Sequence, residues 1–109
     1  MNETFINTAA IDWEKAQSHP SGALQKVLQE GGEGTPRVIL LKIEPGWLME
    51  EHAHIYTEMH YVLEGEYKSR EGVYPAGTFR MIPRHTNHGP FSTASGAVIL
   101  VMWLNNAEG

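Results

Sequence analysis

The chain has 109 residues, no cysteine, six histidines and 8 Lys+Arg against 13 Asp+Glu, a formal charge of −5. That length builds one domain with a core of its own. Without cysteine there is no disulfide framework, thiolate metal site or cysteine nucleophile, so chemistry must rest on His, carboxylate, Tyr or hydroxyl groups; and without a basic cluster, neither nucleic acid nor anionic membrane is expected as a partner.

Met1-Asn2-Glu3-Thr4-Phe5 carries neither the basic nor the apolar region of a secretory signal, so a cytoplasmic protein is expected. The segment Thr8–Ser18 is open to a short helix, and Ala23–Gln29 fits helix and strand templates about equally; we read it as strand. Further on, turn signals such as Gly31-Gly32-Glu33-Gly34, Glu44-Pro45-Gly46, Glu71-Gly72, Pro75-Ala76-Gly77 and Ser95-Gly96 separate short runs rich in Val, Ile, Tyr, Phe and Trp. That punctuation predicts an all-β sandwich or barrel. Arg37–Ile43 and Ala97–Leu104 show no polar alternation, as expected of strands covered on both faces. In Glu58–Leu63, Glu58, His60 and Val62 share one face and Met59, Tyr61 and Leu63 the other. A sandwich of this size has one interior, so the second apolar faces point either to a homodimer seam or to cover by the N-terminal segment. Ala97–Leu104, the longest apolar run, falls far short of the ~20 residues that span a bilayer as a helix.

All but one of the six histidines fall between positions 52 and 88. His52 and His54 are two apart, so on a strand both imidazoles point to one side. Glu58 follows, and His88 closes the turn-like stretch Pro83-Arg84-His85-Thr86-Asn87-His88. Three neutral imidazoles and a carboxylate converging inside a barrel would make a site for a first-row divalent metal. His60 shares the face of Glu58 and should enter the same cavity, as a partner that orients Glu58, as a general acid/base, or as a hydrogen-bonded core residue. Phe79 and Met81, two apart before Pro83, are candidate pocket walls with His60. Arg80 then faces away from them, and the reverse register would bring it into the cavity to favour a carboxylate substrate. His19 and His85 are expected on surface loops.

The run from Gly46 through His52, His54 and Glu58 to Gly65 resembles the first cupin motif, G-x5-H-x-H-x3-E-x6-G, with every fixed position filled. Gly77 through Pro83 to His88 resembles the second, G-x5-P-x-G-x2-H-x3-N, with His85 standing where glycine is usual and Ser92 where asparagine is usual. More narrowly, Tyr74-Pro75-Ala76-Gly77-Thr78, His88-Gly89-Pro90-Phe91-Ser92, and Trp13 followed by Gly22–Leu28 are similar to the cupin-like domain of the ChrR anti-sigma type. The resemblance covers nearly the whole chain and leaves no stretch for that regulator's zinc-binding helical half. It implies a single-domain double-stranded β-helix, the cupin jelly-roll barrel, with a core over residues 36–104 and an N-terminal extension over residues 1–35 packed on it. It also implies one divalent ion, such as Fe, Mn, Ni or Zn, bound by His52, His54, Glu58 and His88. The functions it implies are a metal-dependent enzyme of dioxygenase or isomerase class acting on a small polar molecule, or a non-catalytic metal- or ligand-sensing module acting in trans.

Overall fold

A computed structural model describes residues 3–53 and 55–104. Thr8–Ala10 forms one 3-10 turn, capped by the Asn7 side chain accepting from the Ala9 amide, and β1 (Glu14–Lys15) follows, so Thr8–Ser18 makes no α-helix. The remaining strands are β2 (Ala23–Gln29), β3 (Arg37–Ile43), β4 (Leu48–Met49), β5 (Thr57–Ser69), β6 (Gly72–Pro75), β7 (Phe79–Ile82), β8 (Phe91–Ser92) and β9 (Ala97–Leu104). Ala23–Gln29 is a strand, as read, and β3 and β9 occupy the two apolar runs.

All strand pairs are antiparallel, in the order β1-β2-β3-β9-β5-β8-β4, with β6 and β7 also pairing β5. The result is a curled sheet, a single double-stranded β-helix. The N-terminal segment joins it directly, since β2 pairs β3 from Ala23↔Ile43 to Gln29↔Val38.

Strand β5 is longer than its apolar run suggests because it serves both halves of the barrel. Its first half pairs β7 and β9, and its second half pairs β6 and β8. The register against β9 shifts between Val62 and Glu64, a bulge that bends the strand and changes which parity faces inward. Glu58, His60 and Val62 are buried before it, Tyr67 after it. The bend needs Gly65: its φ is +71°, and a Cβ there would lie 2.1 Å from the Gly96 carbonyl oxygen.

The core comes from alternate residues of the two apolar strands, Ile39, Leu41 and Ile43 of β3 against Ala97, Ile99 and Val101 of β9, with Val62, Tyr67, Ile82, Phe91 and Trp47. Each fully buried aliphatic side chain contributes about 1.5–3 kcal/mol. The outward rows of these strands are half-buried, so the expected two-sided cover is partial.

Candidate functional site

The inner face of the barrel gathers a polar group inside an otherwise apolar wall. His52 and His88 lie opposite one another, the His52 amide donating to the His88 carbonyl at 3.0 Å and the His88 amide to the His52 carbonyl at 2.8 Å. This pairing brings their ring centroids to 4.2 Å, with Phe91 packed 5.0 Å from the His88 ring. His52 Nδ1 lies 2.9 Å from the Glu50 carbonyl oxygen, which only accepts. That contact calls for a proton on Nδ1, the nitrogen that metal-binding imidazoles commonly use for such a hydrogen bond.

Glu58 enters from the start of β5, only 5% exposed. Its Oε1 accepts from Trp103 Nε1 at 2.8 Å and its Oε2 from His60 Nε2. His60 is buried as well, and its Nδ1 lies 2.5 Å from the Tyr67 hydroxyl. Burial pushes the Tyr67 phenol up to about 12, partly offset by Arg80, whose Nη1 donates to the hydroxyl at 3.4 Å. The Arg80 guanidinium stacks over Tyr74, 4.1 Å from its ring centroid.

A cavity of about 70 Å³ is lined by His52, Glu58, His60, Tyr67 and Trp103 and walled by Leu41, Ile43, Met49, Phe91, Ile99 and Val101. Ser18 and His19 also line it. His19, expected on a surface loop, is thus a cavity residue. Its turn is anchored by the His19 amide on the Ala16 carbonyl, and Trp47 Nε1 donates to the Pro20 carbonyl, so the loop is folded against the barrel. Of the expected metal ligands, His52 and Glu58 line this cavity, His88 pairs with His52 without lining it, and His54 lies outside the described residues; among the described residues no three His, Asp or Glu side chains are grouped closely enough to hold a metal ion.

The pocket walls need correction. Phe79 and Met81 are both 58% exposed and lie on the outer surface. The register explains this: Arg80 is the cross-strand partner of His60, while Phe79 and Met81 pair with Tyr61 and Met59. Partners on neighbouring strands point to the same side, so Arg80 follows His60 inward and its neighbours face out. His85 is exposed, with φ 63°, so it adopts the left-handed backbone that glycine takes most readily. Tyr67, Trp103 and His19 went unforeseen. The Trp103 contact could have been found only from the Glu58↔Trp103 pairing.

A curled antiparallel barrel with these imidazoles and a carboxylate turned into its interior is a cupin. The chain matches the model of the ChrR cupin-like domain over residues 1–106 and belongs to that family. No curated protein matches it. Among solved structures, an RmlC-like cupin from Shewanella frigidimarina is 23% identical, with a TM-score of 0.77 over 94% of this chain and 90% of that one. The anti-sigma factor ChrR of Rhodobacter sphaeroides, solved in complex with SigE, is 20% identical with a TM-score of 0.70, over 90% of this chain and 52% of that one. An acetylacetone dioxygenase from Acinetobacter johnsonii is 12% identical with a TM-score of 0.82, over 95% of this chain and 75% of that one. At these identities the likeness is one of fold.

Proposed function

We propose that the protein binds one divalent metal ion through His52, His54, Glu58 and His88 and uses it to act on a small polar molecule in the adjoining cavity. The observation that supports this reading is that His52 and a buried Glu58 line one small cavity, with the His88 ring packed beside that of His52. Imidazole with carboxylate suits Fe, Mn, Ni or Zn. Bound there, the ion would supply Lewis acidity and coordination positions open to a second molecule. The chain's own residues would shape the rest. Leu41, Ile43, Ile99 and Val101 exclude water, His60 faces the cavity within reach of Glu58, and Ser18 and His19 offer hydrogen bonds from the N-terminal side.

An enzyme of dioxygenase or isomerase class is the reading we favour, supported by the small cavity that His52, Glu58 and His60 line among apolar walls. Oxygen uptake by the Fe(II)-loaded protein, screened with β-diketones and enediols, tests the dioxygenase version, and NMR of the same compounds with the Zn- or Mn-loaded protein tests isomerisation. Turnover of one compound class supports the reading. Silence in both, with a specific protein captured in a pull-down, supports the second reading, a sensing or binding module acting in trans, which the ChrR-type family match favours.

We also propose that the protein is a homodimer. Tyr61, Leu63, Phe79 and Met81 are all at least 41% exposed and line one outer face of β5 and β7, and exposed apolar patches of this kind mark interaction surfaces.

A further inference from the structure

The outer face of the sheet carries two long side-chain rows and is covered at one end. Lys26, Leu40, Leu100, Tyr61 and Phe79 are successive cross-strand partners from β2 through β3, β9 and β5 to β7, and Val38, Met102, Met59 and Met81 make the next row. Cross-strand partners point to one side, and residues two apart on a strand share it. Over the β2 end lies the chain's own N-terminal segment. The Trp13 ring centroid is 4.8 Å from Lys26 Nζ and 5.6 Å from Lys42 Nζ, and Lys26 Nζ donates to the Thr8 carbonyl at 2.7 Å. The β7 end is open, with Tyr61, Leu63, Phe79 and Met81 exposed.

Two features of this face complement each other. Among β7, β5 and β9 is a hollow of about 70 Å³ lined by Met59, His60, Tyr61, Phe79, Leu100 and Met102. At the opposite end, the residues before the Thr8 turn include Phe5, 91% exposed, and Ile6, 50% exposed, so the chain does not seat them on its own barrel. The Lys26 contact to Thr8 holds this segment off the sheet by the length of a lysine side chain.

We propose that a second copy of this chain covers the open end, and that Phe5 of each copy seats in the hollow of the other. The proposal rests on the homodimer reading and names the contact that holds the two copies together. Of the five strands in the long row β9 is the middle one, so a two-fold axis along it lays the β2 end of one copy over the β7 end of the other, covered end against open end. Packed sheets stand about 10 Å apart, a gap that Trp13 and the raised segment fill. Size favours exchange over bare contact. The open end is three strands wide, about 10 Å, and Met59 to Leu63 run about 17 Å. That footprint of about 170 Å² is far below the about 800 Å² that each partner of a stable interface contributes. The exchanged segments add to it, since a seated aromatic side chain alone buries about 150–250 Å², and the methionine thioethers of the hollow suit an aromatic ring.

The experiment uses the full chain. Sedimentation velocity over a concentration series is expected to show a wild-type dimer, weakened about 100-fold in Phe5→Ala, about tenfold for each of the two anchors. Circular dichroism is expected to stay unchanged, because Phe5 is exposed in its own copy. The chain has no cysteine, so Ile6→Cys combined with Met81→Cys, which leaves Phe5 and the hollow intact, reads the contact directly. A short bis-maleimide is expected to give a covalent dimer that neither single substitution gives. A crosslink within one chain overturns the proposal, because it puts the segment on its own sheet. A wild-type dimer lost in Phe79→Glu with Met81→Glu but kept at full strength in Phe5→Ala would uphold the homodimer and refute the exchange. Wild type that stays monomeric throughout the series would refute the homodimer reading itself, and the exchange with it.

Discussion

The buried phenol of Tyr67 makes the stability of this protein depend on alkaline pH in a way that one substitution removes. Its titration is raised from 10.0 to about 12 by burial. Below the unfolded value, Tyr67 is protonated in both states and its contribution is complete. Between 10.0 and about 12 the unfolded chain ionises first and gains free energy that the folded chain does not. At about 1.4 kcal/mol per unit, wild type stands to lose about 3 kcal/mol across that window from this group alone. Tyr67→Phe removes the group and leaves the buried His60 Nδ1 without its hydroxyl partner, a cost of about 1–3 kcal/mol near neutral pH. Urea unfolding of both proteins from about pH 8 to about pH 12 cancels the other tyrosines and the lysines, which titrate in both. Wild type is expected to be the more stable at the lower end, with the difference shrinking to nothing or reversing at the upper end. A difference that stays constant across the window would refute the placement of Tyr67 as a protonated, buried phenol.

Gly65→Ala is expected to cost at least about 2 kcal/mol in urea midpoint measurements, because an alanine at φ +71° is strained and its Cβ meets the Gly96 carbonyl oxygen. Phe79→Glu combined with Met81→Glu is expected to halve the mass seen by light scattering while leaving the circular dichroism spectrum unchanged, since both side chains lie on the outer face; an unchanged mass would remove that face as the dimer seam. Trp47→Phe deletes the hydrogen bond to the Pro20 carbonyl that ties the His19 loop to the barrel, and hydrogen exchange at the His19 amide is expected to accelerate by about fivefold for a bond worth about 1 kcal/mol.

The barrel was legible because its strands announce themselves: β3 and β9 are unbroken apolar runs, and glycine turns bound most of the others. Of the motif residues, His52 and Glu58 line one cavity and an isolated bridge sets His88 beside His52, while His54 lies outside the described residues. What escaped was register. Phe79 and Met81 looked like pocket walls because they are apolar and two apart, yet pairing with Met59 and Tyr61 sends them outward and brings Arg80 in. Sequence carries no mark of that single-residue choice. The same holds for Tyr67, whose inward turn depends on the bulge after Val62, and for Trp103, which meets Glu58 across two strands far apart in the chain. His19 looked like a turn residue beside Pro20, and is one, but its turn is folded onto the cavity by contacts to Ala16 and Trp47.

The central claim is a resident metal held by His52, His54, Glu58 and His88, and metal analysis of protein purified without added metal, read beside its His52→Ala variant, tests it most directly. The account predicts about one equivalent of a divalent ion in wild type and a large loss in the variant. Added metal at about 100 times its dissociation constant should stabilise wild type by about 2.7 kcal/mol and the variant by much less. Wild type holding well under about half an equivalent, with His52→Ala melting at the wild-type temperature in metal-supplemented buffer, would contradict it.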